Sequence, residues 1–284
     1  MQGRLFRAVL NPVLIISCLL AGTAVAAEES ANAASIELVD PLALRVCIDP
    51  RNLPYSNIAG EGFENKLAEL VARKLGKTLS YVFYPGSTGF VRNTLNAHRC
   101  DVIMGMPQGD DVAQVTNPYY RTAYALVVKQ GSGLETIETL ADQRLRGKRL
   151  GIVAGTPPAS YLAANGLLPW IKSYPLVIDT RYDSPTSAMI EDLEQGRIDV
   201  AVLWGPIAGY FAKNSRAGLN IVPLVKENGG PRLIYRVGMG VRHSDQDWKR
   251  LLNTVIDENE TEIRALLLTY GVPLLDENNA AISH

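Results

Sequence analysis

Apolar residues recur at Phe63, Leu67, Leu70, Val71 and Leu75, with Lys66, Glu69, Arg73 and Lys74 between them, the stripe of an amphipathic helix over 63–75. Gly76 supplies its C-terminal stop. Ahead of it, Leu44-Arg45-Val46-Cys47-Ile48 reads as a strand cut off by Asp49-Pro50-Arg51-Asn52-Leu53-Pro54, where two prolines impose an extended loop. Beyond it, a β-rich run over 79–84 ends at Pro85-Gly86, a second helix is expected over 88–97, and 102–104 is a third, buried strand. The order β-α-β-α-β predicts a parallel α/β layer.

The pattern then restarts. A strand is expected over 149–153, a turn at Gly155-Thr156-Pro157-Pro158, a helix over 159–165, a strand over 176–180, a helix over 186–195 and an apolar strand over 200–203. Leu95, Arg99, Asp101 and Val102 recur with identical spacing as Leu193, Arg197, Asp199 and Val200. In each set an Arg-x-Asp corner leads from a helix end into a buried strand. The apolar runs at 124–129 and 235–241 carry the chain into and out of the central segment, and an amphipathic stretch over 248–268 follows. The expectation is a two-lobed α/β fold. Lobe 1 takes 41–127 and 237–275, lobe 2 takes 128–236, and 276–284 is a tail. Ligands of such folds bind in the cleft at the carboxyl ends of the strands.

Composition narrows the setting. The 284 residues are 47% hydrophobic and 20% charged, with a formal net charge of −1, so nothing marks a nucleic-acid partner. Arg4 and Arg7 precede an apolar run over 8–22, interrupted only by Asn11, and Ala24-Val25-Ala26 offers a small-x-small cleavage site. Residues 1–26 therefore read as a signal peptide, and 27–40 as a flexible leader to a periplasmic protein. Ile15-Ile16-Ser17-Cys18 is the weaker, lipoprotein reading, because the apolar run continues past the cysteine. The run is also shorter than the ~20 residues of a membrane span, so no stable membrane insertion is expected. Cleavage leaves Cys47 and Cys100, an even number that favours one disulfide in an oxidising compartment, provided strand register brings their Cα atoms within about 7 Å.

Catalytic signatures are missing from the sequence. No Gly-x-Ser-x-Gly elbow occurs, and the three histidines, His98, His243 and His284, form no spaced set with a nucleophile. Gly76-Lys77-Thr78 lacks the upstream glycine of a phosphate loop, and Gly238-Met239-Gly240 lacks the third glycine of a dinucleotide fingerprint. Asp110-Asp111 has no spaced third ligand and reads as a solvated turn. No metal, no cofactor and no catalytic residue is expected in this chain.

Gly62-Phe63-Glu64 opening the first helix, Cys100-Asp101-Val102-Ile103-Met104-Gly105, Thr116-Asn117-Pro118-Tyr119-Tyr120 and Arg197-Ile198-Asp199-Val200-Ala201 together resemble the type II periplasmic solute-binding proteins. A narrower likeness lies in Leu44-Arg45-Val46-Cys47-Ile48-Asp49-Pro50, Asn52-Leu53-Pro54, Glu61-Gly62-Phe63-Glu64-Asn65-Lys66, Gly89-Phe90-Val91-Arg92-Asn93-Thr94-Leu95 and Pro118-Tyr119-Tyr120-Arg121. These resemble the binding-protein-like accessory (J-type) proteins encoded with PQQ-dependent methanol dehydrogenases. The resemblance implies a non-enzymatic accessory role in methanol oxidation, with the dehydrogenase as partner and PQQ and its metal held by that partner.

Departures from the amino-acid receptors point the same way. Such receptors clamp the ligand carboxylate with an arginine after the third strand, which here falls near Gly109, and the ammonium with an aspartate after the lobe-two strand, which here is Trp204. An enclosed zwitterion without them would leave two charges unpaired. Asp49, Asn52, Tyr55, Glu64, Pro107, Gln108, Thr156 and Trp204 are the cleft candidates. Trp204 serves equally as core packing or as an aromatic wall, and Thr156 stands at a helix N-terminus, which attracts anions. Arg92 and Arg121 are candidate anion contacts or salt-bridge partners. Two rivals remain: a receptor handing a small organic or anionic solute to an ABC importer, and a cleft enzyme using Asp49 and Glu64 as acid and base.

Overall fold

In a computed structural model, which describes residues 37–86, 88–109, 111–176 and 185–282, the first apolar run becomes β1 (Ala43–Ile48). A small hairpin of β2 (Arg51–Asn52) and β3 (Ser56–Asn57) follows, and the peptide between Leu53 and Pro54 is cis. Helix α1 (Phe63–Leu75) ends on Gly76 in the left-handed conformation, φ 64°. Then come β4 (Thr78–Phe83), α2 (Phe90–Asn93), β5 (Val102–Pro107), β6 (Gln114–Val115) and β7 (Tyr120–Lys129). The second series is β8 (Leu150–Val153), α3 (Pro158–Ala164), β9 (Ile171–Tyr174), α4 (Pro185–Glu194) and β10 (Val200–Trp204). After α5 (Gly205–Asn214) and β11 (Leu219–Pro223), the chain ends with β12 (Ile234–Val241), α6 (Gln246–Glu258) and α7 (Glu260–Thr269).

Hydrogen-bonded strand order runs β4-β1-β5-β12-β7-β10-β8-β9, with β11 on β7 and β6 on β12. β1 is parallel to β4 and β5, and β8 is parallel to β9 and β10, as the βαβ pattern requires. β7 and β12 cross between these two parallel sets side by side and antiparallel, from Ile234 opposite Ala123 to Val237 opposite Tyr120. Each set has its own core. Leu44, Phe63, Leu67, Met104 and Trp248 meet in one, and Leu126, Ile137, Leu150, Leu162 and Val202 in another. No described helix is long and apolar enough to cross a membrane.

Two expectations are corrected. The helix foreseen over 88–97 shrinks to α2, because the Thr94 hydroxyl donates back to the Phe90 carbonyl at 2.6 Å and Thr94 leaves the helical conformation. β9 ends ahead of the strand foreseen over 176–180: Pro175 has no N–H to continue the ladder and Leu176 is a loop residue, while 177–180 fall outside the described residues. The stretch over 248–268 is two helices, divided at Asn259, whose side-chain amide turns back onto the Val255 carbonyl at 2.8 Å. α5 and β11, which the apolar pattern did not announce, fill the chain between β10 and β12. The expected signal peptide, 1–26, and most of the leader lie outside the described residues.

Cys47 in β1 and Cys100 ahead of β5 form a disulfide, their Cα atoms 5.5 Å apart. The repeated Arg-x-Asp corners prove structurally equivalent. Asp101 takes the Arg45 guanidinium on both oxygens at 2.7 Å, and its N–H donates to the Arg45 carbonyl at 2.8 Å. Asp199 does the same to Arg149, at 3.1 and 2.7 Å, with its N–H on the Arg149 carbonyl at 2.8 Å.

Candidate functional site

The loop after β1 folds over the start of α1. The α1 amides of Phe63 and Glu64 donate to the carbonyls of Pro54 and Tyr55 at 2.9 and 2.8 Å, which sets Glu64 beside Asp49 and Tyr55. These three residues and Gly105 line a cavity of about 310 Å³. Asp49 is buried and braces the loop: its carboxylate accepts from the amides of Arg51 (2.7 Å) and Gly86, and its carbonyl accepts from the Ser56 hydroxyl at 2.8 Å. Glu64 has no such partners among the described residues. Burial, with the Asp49 charge second, pushes its carboxyl up to about 8. Space for both acids depends on glycine. A Cβ on Gly105 would stand 2.2 Å from Glu64 Oε1, and one on Gly86 2.7 Å from Asp49 Oδ2.

A larger cleft of about 600 Å³ opens between the carboxyl ends of β1, β5, β8 and β10. Its floor is aromatic. Trp204, the last residue of β10, packs edge-on to Tyr124 of β7 and Tyr235 of β12, with ring centroids 5.2 and 5.3 Å away. Ile207 and Phe211 of α5 continue the apolar wall. The Tyr55 hydroxyl lies near Trp204, and its ionisation is pushed far upward by burial, then by Tyr120 and Glu64. Burial and Tyr235 likewise hold Tyr124 up at about 12. Among the described residues, Arg51 is the only charged side chain lining this cleft.

The sequence candidates divide. Asn52 lines both cavities, while Pro107, Thr156 and Trp204 line the larger one. Trp204 is thus a wall of the cleft as well as a packing residue. Thr156 donates its hydroxyl to the Val153 carbonyl at 2.7 Å and precedes a helix of only seven residues. Gln108 turns away from the cleft: its amide N–H donates to the Arg236 carbonyl at 2.8 Å and its side chain to the Thr116 carbonyl at 3.0 Å. Gly109 accompanies it into a separate groove. Arg92 is exposed on α2 and lines neither cavity, and Arg121 reaches the C-terminal segment, donating to the Glu277 carbonyl at 3.4 Å and to the Asn279 side chain. Neither arginine is a cleft contact. Sequence reasoning missed Arg51, Tyr124, Tyr235 and Phe211. The two tyrosines open the apolar runs at 124–129 and 235–241, so their place at the crossing strands was the available signal.

The sequence pattern of the bacterial extracellular solute-binding proteins, family 3, matches residues 44–271. Among solved structures, the periplasmic binding protein XoxJ from Methylobacterium extorquens AM1 aligns with a TM-score of 0.71 and 43% identity, over 82% of this chain and 100% of XoxJ. MxaJ from Methlophaga aminisulfidivorans MPT aligns with a TM-score of 0.70 and 26% identity, over 82% of this chain and 100% of MxaJ. Protein MoxJ of Paracoccus denitrificans is 27% identical over 255 residues, 85% of this chain and 92% of MoxJ.

Proposed function

The chain belongs to the bacterial extracellular solute-binding proteins of family 3, and from that premise we propose that it is a non-enzymatic periplasmic accessory protein of methanol oxidation. It associates with a PQQ-dependent methanol dehydrogenase and assists its maturation or activation. The observation that carries this reading is the 43% identity to XoxJ along the whole of that chain. It agrees with the J-type motifs of the sequence.

The cleft supports the same reading. Among the described residues its lining is largely aromatic and aliphatic around one arginine, without the arginine and aspartate pair that would receive an amino-acid zwitterion. Asp49 spends its carboxylate on backbone amides, and Glu64 has no titratable base at hydrogen-bond distance among the described residues. This weighs against acid/base turnover in the smaller cavity. PQQ and its metal reside in the dehydrogenase on this reading, and residues 1–26 direct export.

Affinity-tagged mature chain, incubated with purified apo and PQQ-loaded methanol dehydrogenase, is expected to retain one of the two forms. Retention of neither, combined with saturable stabilisation by a small solute, would replace this reading with that of an ABC-importer receptor.

A further inference from the structure

Arg121 of β7 and Arg236 of β12 are direct partners in the antiparallel register, so both side chains stand on one face of the sheet. Like charges placed opposite each other weaken a strand pair. Neither guanidinium forms an ion pair among the described residues, although Arg121 is tethered by the neutral acceptors of Glu277 and Asn279. A third cation joins them. Arg232 lies 4.3 Å from the centroid of the Tyr235 ring and donates to the Gln108 carbonyl at 3.0 Å. With Gln108, Gly109 and Ile234, the three arginines line a groove of about 430 Å³, separate from both cavities described above.

Arg45, Arg149 and Arg242 all rest on aspartates. Among the described residues, the acids that share a neighbouring cavity with Arg121 and Arg236 do not pair with the trio: Glu260 is taken by Arg264, and Asp257, Asp276 and Glu277 form no ion pair with it. Arg121 and Arg232 are already held in place by neutral groups, which removes part of the side-chain entropy that binding would otherwise cost. Guanidinium forks match the oxygens of tetrahedral and planar oxyanions. We propose that this groove binds a small, multiply charged oxyanion of the phosphate or sulfate class through Arg121, Arg232 and Arg236. The bound ion bridges the two strands that connect the parallel halves of the sheet. This site stands independently of any dehydrogenase partner.

The test is calorimetric and thermal titration of the full mature chain with inorganic phosphate and with sulfate, ionic strength being held constant with sodium chloride. Saturable binding and a rise in Tm are expected with at least one of the two oxyanions and not with chloride. Arg236 is exposed, so Arg236→Gln should leave the anion-free Tm unchanged or raise it, by relieving the apposition with Arg121. It should also weaken oxyanion binding about tenfold or more, as should Arg232→Gln. The proposal fails if chloride matches both oxyanions, or if both variants bind as tightly as the parent. It fails too if Arg236→Gln lowers the anion-free Tm, which would make Arg236 a structural prop.

Discussion

Glu64 shows how a single residue acquires its character from neighbours that are distant in sequence. Its place as the second residue of α1 was evident from Gly62-Phe63-Glu64, but the half-buried, unpartnered setting of its carboxyl depends on Gly105 and on the charge of Asp49. A carboxyl raised to about 8 keeps its proton in the folded protein while the unfolded chain loses it near pH 4.5. Stability from this group is therefore fully present below that lower value and declines as pH climbs to 8. Thermal melts from pH 5 to 9 should show Glu64→Gln flattening this decline, with the variant gaining on the parent by an amount on the order of a few kcal/mol at the alkaline end. A parallel pair of curves would mean that Glu64 is ionised throughout. Asp49 behaves differently with a similar address. Its oxygens are engaged by two amides, so Asp49→Ala should cost about 1–3 kcal/mol through orphaned donors, read as a lowered denaturant midpoint with unchanged m value.

At the scale of elements, the two Arg-x-Asp corners share geometry but not energetic weight. Asp101 is fully buried and also holds Arg242, itself 5% exposed, while its carbonyl takes the Trp248 indole N–H at 3.0 Å. It therefore fastens β1, β5, the end of β12 and α6 to one another. Asp101→Ala is expected to cost about 3–5 kcal/mol, since it removes the carboxylate of Arg45 and leaves the buried Arg242 with Asp245 alone. Asp199→Ala breaks a pair whose side chains are 29% and 54% exposed and should cost about 1 kcal/mol or less. Equal losses in chemical denaturation would refute the distinction. The repeated corners and the periodic stripe of α1 were legible because each is a local signal. The short α2 and the break at Asn259 were not, since a single back-bonded Thr or Asn outweighs apolar periodicity.

For the whole molecule, the decisive feature is what the crossing of β7 and β12 assembles. Tyr124, Tyr235 and Trp204 arrive from three strands to floor the larger cleft, and Tyr55 meets Trp204 from the loop after β1. Free arginine or glutamine should leave the Tm of the mature chain unmoved, because a site occupied at 100 times its Kd would add about 2.7 kcal/mol. A clear rise with either would contradict the accessory reading at its physical root. The sequence alone determined the α/β class and the order of strands and helices in both series, because period and breakers are properties of the chain itself; it favoured a Cys47–Cys100 disulfide, which the pairing of β1 with β5 then made possible. Only tertiary structure decided which polar loop residues face the cleft. A turn of one residue sends Pro107 inward and Gln108 outward, and which carboxylates find amides or guanidinium partners depends on strands that meet far from one another in the chain.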